Sequence, residues 1–438
     1  MKKFNIISLL FIFLLFLCAR ILCEQAEWSI LVIIQADNNL ASLVNYNIKD
    51  MIKGVFKDSS DVNILVQFDK PNSVKTWRYK INKGVAVEAD SLNSEMGVNP
   101  AKELITAAKW VKTKYPAKHY GVILSNHGTG IEDYKGIISS KLWLEVPGIQ
   151  EYFNERGILY DDSQSTCLTN KGLLTACAGM SQVFGKKIDL LGMDACLMAM
   201  LEIAYQIKDY AEILVASEQV EPVSGWNYSG FILPLTQTPT AVDNIMLAKK
   251  IVDSYDCFYK KHKSDLGYTL SAIKLDSIEK LKQNVDNVIR SIYACKQILP
   301  DETRKMVIKS RNVSKSFFIK SYIDIYSFYV ALLDWLPKTK PKSELILDKV
   351  AHKKAKTNKE YQDALDCLKG FLAEGFAIID DVVIANAADL SMKNANGVSI
   401  YYPPTNRRLS SIHLSYHKTQ FAKSSLWLKF IREFRNNS

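Results

Sequence analysis

Apolar residues in this chain fall into short, unbroken runs separated by longer stretches of helical period. "WSILVIIQADNNL" (28–40) and "VNILVQFDKP" (62–71) are β-branched runs that close on polar residues, the pattern of strands buried on both faces. "VKTWRYKI" (74–81) alternates and reads as an exposed or edge strand. "NPAKELITAAKWVKTKYP" (99–116) has Pro in its first turn and Pro after its end, which predicts a helix. "HYGVILSNHGTG" (119–130) is a buried strand entering a Gly-rich turn. "KIDLLGMDA" (187–195) is another strand, followed by a helix carrying Met198, Leu201 and Tyr205, and "AEILVASEQVEP" (211–222) is one more strand.

Apolar strands alternating with helices predict an α/β fold with a mostly parallel central sheet covered on both faces. In such sheets the loops at the strand C-termini build the site. Here those loops carry "DNN", "SNHGTG", "DAC" and "SEQVEP". After about residue 240 the pattern changes. Residues 241–310 and 343–375 read as helices, "NGVSIYYPP" (396–404) as a late strand and "SSLWLKFIREF" (424–434) as a final helix. The expected division is therefore a leader at 1–23, a catalytic core at 24–240, and a largely helical region at 241–438 with a returning strand near 396–403.

The leader is read from its layout. "MKKFNIISLLFIFLLFLCARILC" places two lysines before an apolar run from Ile6 to Ala19, then Arg20 and polar residues from Glu24. That is the layout of a secretory signal peptide. The run is shorter than the ~20 residues of a spanning helix, so export without a lasting membrane span is expected. The destination is secretion, the periplasm or the cell surface.

Composition adds few constraints. The 438 residues are 48% hydrophobic and 23% charged, an ordinary globular balance. The formal charge of +10 falls to +7 without Lys2, Lys3 and Arg20. Its densest lysine stretch, 337–361, comes with no nucleic-acid motif and reads as a solvated helix face, so no nucleic-acid partner is expected. Beyond residue 23 lie Cys167, Cys177, Cys196, Cys257, Cys295 and Cys367, in neither a disulfide framework nor a CxxC zinc pattern.

Candidate chemistry sits at two strand ends. Cys196 follows a buried strand and is expected to start a helix, where the N-terminus would favour thiolate over thiol. Taken alone, it reads equally as a small buried hydrophobe. His127 precedes Gly128 in a turn of the kind that lines sites. A thiol and an imidazole at neighbouring strand ends are what acyl transfer through a cysteine requires, and the amides of Gly128 and Cys196 are the natural oxyanion donors. Asp194, two residues before Cys196, is suited either to select a basic substrate side chain or to cap the following helix.

At this point a resemblance becomes specific. "LLGMDACLMAMLEIAYQIKDYAEILVASEQVEPVSGWNYSGFI" (190–232) resembles the nucleophile block of the clostripain family of cysteine peptidases, relatives of caspases, legumains, gingipains and separases. "VILSNHGTG" (122–130) resembles its histidine block, and "GILYDDSQSTCLTNKGLLTAC" (157–177) its connecting hairpin and helix. "NGVSIYYP" (396–403) and "FAKSSLWLKFI" (421–431) resemble its C-terminal segments.

The resemblance implies a caspase-like three-layer α/β/α sandwich and an exported, monomeric thiol protease that cleaves protein or peptide substrates after Arg or Lys. His127 and Cys196 would be the catalytic dyad, Gly128 part of the oxyanion hole, and Asp194 and Ser224 part of the specificity pocket. No third triad member is required, so Asn126 is not needed to orient the histidine. No cofactor is required, although calcium supports some relatives; Asp161 and Asp162 are the nearest acids to consider. Family members are often zymogens that cut themselves between the two blocks, and Lys141 is the expected site among Lys135, Lys141 and Arg156. Thr129 and Ile131 depart from the family's His-Gly-Gly-Gly-Trp. Val223 and Ser224 depart from its Glu-Pro-Gly and would reshape the pocket. Glu218 and Glu221 read as solvated loop acids that would compensate only if they face it. The other readings are a degenerate peptidase fold used for binding, and a transpeptidase or ligase using the same acyl-enzyme.

Overall fold

The computed structural model describes residues 25–71, 73–131, 157–262, 267–336, 349–404 and 416–434. The leader (1–23) and Lys141, Lys135 and Arg156 lie outside the described residues. Nine strands form one sheet. They are β1 (Ala26–Ile34), β2 (Val62–Phe68), β3 (Thr76–Asn82), β4 (Val85–Leu92), β5 (Ala117–Ser125), β8 (Leu190–Asp194), β9 (Ile213–Ala216), β10 (Thr269–Lys274) and β12 (Val383–Ala388), in the order β12-β10-β9-β8-β5-β1-β2-β3-β4. The centre, β9-β8-β5-β1-β2, is parallel. Antiparallel pairs flank it on both sides. Two small ribbons complete the strands: β6 (Gly157–Asp161) with β7 (Thr166–Thr169), and β11 (Tyr322–Asp324) with β13 (Ser399–Tyr401).

The unbroken apolar runs form the parallel centre because both their faces are covered. On β1, Leu31 and Ile33 enter one core while Ile30, Val32 and Ile34 enter the other, the two-residue alternation of a strand. One core packs the helices Pro100–Lys114, Asn170–Phe184 and Ile278–Ile298; the other packs Val44–Gly54, Tyr228–Gln237 and Asn244–Lys261. The result is the expected α/β/α sandwich. The helix that begins at Pro100 starts as its sequence predicts, with the Asn99 side chain accepting from Lys102 N at 3.1 Å.

The sheet runs through residue 240. β10 lies inside the stretch 241–310 that reads as helical, and β12 follows directly on the helix Lys349–Val382. Both are six residues long, too short to declare a period between flanking helices. The chain's second part thus completes the sheet begun by the first.

Among the described residues no helix is long and apolar enough to cross a membrane. Cys177, Cys196, Cys257, Cys295 and Cys367 are free thiols.

Candidate functional site

Register brings the two candidate loops together. β5 and β8 are parallel neighbours with Ser125 opposite Asp194, and Asn126 N donates to Asp194 O at 3.2 Å just beyond the last pair. Continuing that register sets His127 abreast of Cys196, although 69 residues separate Ser125 from Asp194 along the chain. The approach is so close that a Cβ on Gly128 would lie 2.5 Å from the Cys196 carbonyl oxygen and 3.1 Å from Ala195 Cβ, so only glycine fits.

His127 is half-buried. Its Nε2 lies 2.8 Å from Asn39 Oδ1, an arrangement that places a proton on Nε2 and leaves Nδ1 as the acceptor. Loss of water around the ring pushes its pKa down to about 4, so the imidazole is neutral at neutral pH. Asn126 does not orient the ring. Its side chain is buried and holds the loop, donating to Gln35 O and to Tyr160 O (3.2 Å) and accepting from Tyr160 N (2.9 Å).

The expected helix at Cys196 is not there. The first helical residue after β8 is Leu201, and Cys196 lies in a turn in which Leu197 takes a left-handed φ of 64°. Leu197 N donates to Gln219 O (3.1 Å) and Ala199 N to Ser217 O (2.9 Å), so the loop after β9 claims the amides that a helix would have used. Without a helix N-terminus, the thiol has no dipole to lower its pKa. Burial, followed by the nearby Glu221 and Asp194 carboxyls, pushes it above its ordinary range, against the lowering effect of two backbone N–H groups, its own and that of Glu221, which lies 3.3 Å from Sγ. The resting pair is a neutral thiol beside a neutral imidazole.

Asp194 cannot cap a helix that starts at Leu201. It is buried and accepts from Tyr228 O–H (2.8 Å) and Ser125 Oγ (3.2 Å). Burial raises its pKa despite those donors. Gly225, at φ 64°, faces it so tightly that an added Cβ would sit 2.9 Å from Asp194 Oδ1. Ser224 is exposed, its hydroxyl beside Tyr259, and Val223 is also exposed.

Glu218 and Glu221 are not the solvated acids their loop suggests; both are buried. Glu218 accepts from Gly397 N (2.9 Å), while Glu221 stands beside Asp194. Sequence reasoning missed this burial and also missed Asn39, although "DNN" lies in the loop after β1, where a site residue belongs.

For a metal, Asp161 and Asp162 part company. Asp161 is buried, and one carboxylate oxygen each from Asp37, Glu95 and Asp161 falls within 4.8 Å of the others; Asp162 is exposed and outside the group. Burial raises Asp161 to about 6 and the adjoining Asp69 to about 8. An all-oxygen set holding excess negative charge fits a hard divalent cation such as calcium.

The C-terminal part of the chain buttresses these loops directly. Ser399 N donates to Ala199 O (2.9 Å), Phe318 N to Gln219 Oε1 (2.8 Å), and Tyr322 O–H to Thr129 O (2.7 Å). Glu202 accepts from both Tyr401 N and Tyr416 O–H at 2.9 Å.

Comparison with known proteins agrees with this layout. A secreted C11 cysteine protease from Bacteroides thetaiotaomicron, solved with an irreversible peptide inhibitor, superposes with a TM-score of 0.64 over 92% of this chain and 99% of its own, at 16% identity. An inactive zymogen C11 protease from Parabacteroides distasonis gives 0.59 over the same shares, also at 16% identity. At that identity the likeness speaks for the fold. Clostripain of Hathewaya histolytica is 26% identical over 225 residues, 44% of this chain and 39% of that protein, so the match spans well under half of the relative. The model of the clostripain family matches residues 32–434. Nearly the whole chain is thereby accounted for, and it belongs to the clostripain family of cysteine peptidases.

Proposed function

We propose that this chain is an exported cysteine endopeptidase that cleaves protein and peptide substrates after Arg or Lys. The observation that carries the reading is the placement of His127 and Cys196 at adjoining strand ends beside a buried Asp194.

Because both partners start neutral, proton transfer accompanies attack. Cys196 Sγ adds to the scissile carbonyl carbon as its proton passes to Nδ1 of His127, whose Nε2–H is held by Asn39. The carbonyl π electrons move onto oxygen, where the Gly128 and Cys196 amides receive the charge. Collapse re-forms the carbonyl and expels the amine, which takes the proton from Nδ1 and leaves a thioester. Water then adds to the thioester, giving its proton to Nδ1; Cys196 departs and recovers that proton as the thiol. Asp194 supplies the counter-charge for the basic side chain at the residue before the cut (P1).

The signal-like segment 1–23 supports export. Self-cleavage at Lys141 belongs to the same reading, since a basic residue between the two blocks meets the proposed specificity. Bound calcium would be held by Asp37, Glu95 and Asp161 and would neutralise their mutual repulsion. It is expected to raise the melting temperature of the wild type but not of Asp161→Asn; equal responses would remove the site from the account.

The main test is a cleavage profile of the purified chain on a peptide library, with Cys196→Ala as control. Cuts after Arg and Lys that vanish in the variant are expected. Cuts that persist in the variant would contradict the mechanism, and cuts after other residues would contradict the specificity.

A further inference from the structure

Two carboxyl groups, Asp194 and Glu221, lie buried close together beside the Cys196 turn, and they are unequally served. Asp194 has donors in Tyr228 and Ser125. Glu221 is buried with both carboxyl oxygens shut off from solvent, and neither meets a donor at ordinary hydrogen-bond geometry among the described residues, although the Ala195 N–H lies close enough to favour its charged form. The Trp226 indole N–H lies on the same side of the pocket, close enough to be felt by Glu221, but donates no hydrogen bond of ordinary geometry.

The titratable groups facing the two acids are the Cys196 thiol on the turn after β8, Tyr228 at the start of the helix Tyr228–Gln237, and Tyr255 and Tyr259 on the helix Asn244–Lys261. Among the described residues no cation joins them. Two adjoining carboxylates without a cation repel; one proton between them converts the repulsion into an O–H···O hydrogen bond.

We propose that Asp194 and Glu221 share one proton in the free enzyme and that the cationic P1 side chain of the substrate displaces it, which makes Glu221 a second specificity-determining acid. The inference rests on the proposed Arg/Lys specificity. In it, Glu221–H donates to the Asp194 carboxylate; on binding, the proton leaves to solvent and the guanidinium or ammonium group faces two carboxylates. Burial and the mutual charge raise Glu221 well above the ordinary carboxylate range, while its hydrogen bond to Asp194 acts to lower Asp194, which assigns the proton to Glu221. The arrangement compensates for Ser224, which is exposed and carries no charge. It also explains why a loop acid followed by Pro222 is buried at all. Because Glu221 N also touches Cys196 Sγ, the residue that completes the pocket sits against the nucleophile.

The sign of the pH effect follows. The free enzyme holds a proton that the complex does not, so kcat/KM for a basic substrate rises with pH through the ionisation of the pair, above the ordinary carboxylate range. The test is the pH profile of kcat/KM for a P1-arginine fluorogenic peptide in the wild type, Glu221→Gln and Glu221→Asp. In Glu221→Gln the acidic limb is expected to move to lower pH and the plateau to fall about 10-fold, mainly through KM. Glu221→Asp, which keeps two acids, is expected to retain the upper limb. An unmoved limb in Glu221→Gln would overturn the proposal.

A second measurement uses the wild type alone. Titration calorimetry in buffers of different ionisation heat is expected to show about one proton released on binding a P1-arginine peptide aldehyde and none with its neutral P1-citrulline analogue. Equal release would overturn the shared proton. If the wild type neither cleaves nor binds basic P1 peptides but cleaves others, the underlying specificity has failed, and this proposal falls with it.

Discussion

The His127 loop and the Cys196 loop sit abreast, yet they are held from different parts of the chain. The histidine loop is fixed mainly by early elements: Asn126 bonds Gln35 and Tyr160 from the ends of β1 and β6, and Asn39 meets the imidazole. The cysteine loop leans on the late part. Ala199 receives Ser399 N, Glu202 receives Tyr401 N and Tyr416 O–H, Gln219 receives Phe318 N, and Glu218 receives Gly397 N. Among the described residues, a late contact from Tyr322 O–H to Thr129 O reaches the histidine side. The residues proposed to carry the chemistry are therefore all early in the chain, while part of their positioning comes from residues far beyond them. The C-terminal part is a brace for the nucleophile.

Substitutions can separate these roles. The largest effect is expected at the pocket between the loops. Asp194→Asn removes the proposed primary counter-charge and should reduce the preference for P1-arginine over a neutral P1 by about 10²–10³-fold, measured as a ratio of kcat/KM values. An unchanged ratio would detach specificity from the cysteine loop.

On the late brace, Glu202 is the informative position. Burial raises its pKa from 4.5 to about 7. The folded chain then holds a proton that the unfolded chain releases. Stability from this group is fully present below pH 4.5 and is lost as pH rises through about 7. Glu202→Gln should flatten the stability-versus-pH curve across that window by about 2–3 kcal/mol, read from denaturant melts at several pH values. A curve parallel to the wild type would contradict the burial of this brace.

On the early side, Asn39→Ala should lower kcat by about 5–10-fold with KM nearly unchanged, because it removes one hydrogen bond that fixes the imidazole. A change confined to KM would place Asn39 in substrate binding instead.

What the sequence disclosed follows the same division. The apolar runs of β1, β2, β5 and β8 declare buried parallel strands, and parallel strands put their C-terminal loops at one edge. That suffices to bring His127 and Cys196 together. The turn at Cys196 was not legible: "MDACLMAMLE" holds no glycine or proline to break a helical pattern. Its left-handed Leu197 is imposed by hydrogen bonds from Gln219 and Ser217, which are tertiary. The thiol's environment was misjudged for the same reason, since the expected thiolate depended on that helix. Glu221 reads as a loop acid because nothing local says that Trp226, Tyr228, Tyr255 and Tyr259 will close over it. β10 and β12 are hidden by brevity, and the late brace by distance along the chain.

The most direct measurement of the central claim is labelling with a P1-arginine acyloxymethyl ketone peptide, followed by mass mapping of all six cysteines beyond residue 23. The account predicts a single adduct on Cys196, absent with a P1-norleucine analogue and in Asp194→Asn. Adducts on the exposed Cys257 or Cys367 instead, or no adduct on a folded, mature chain, would contradict it.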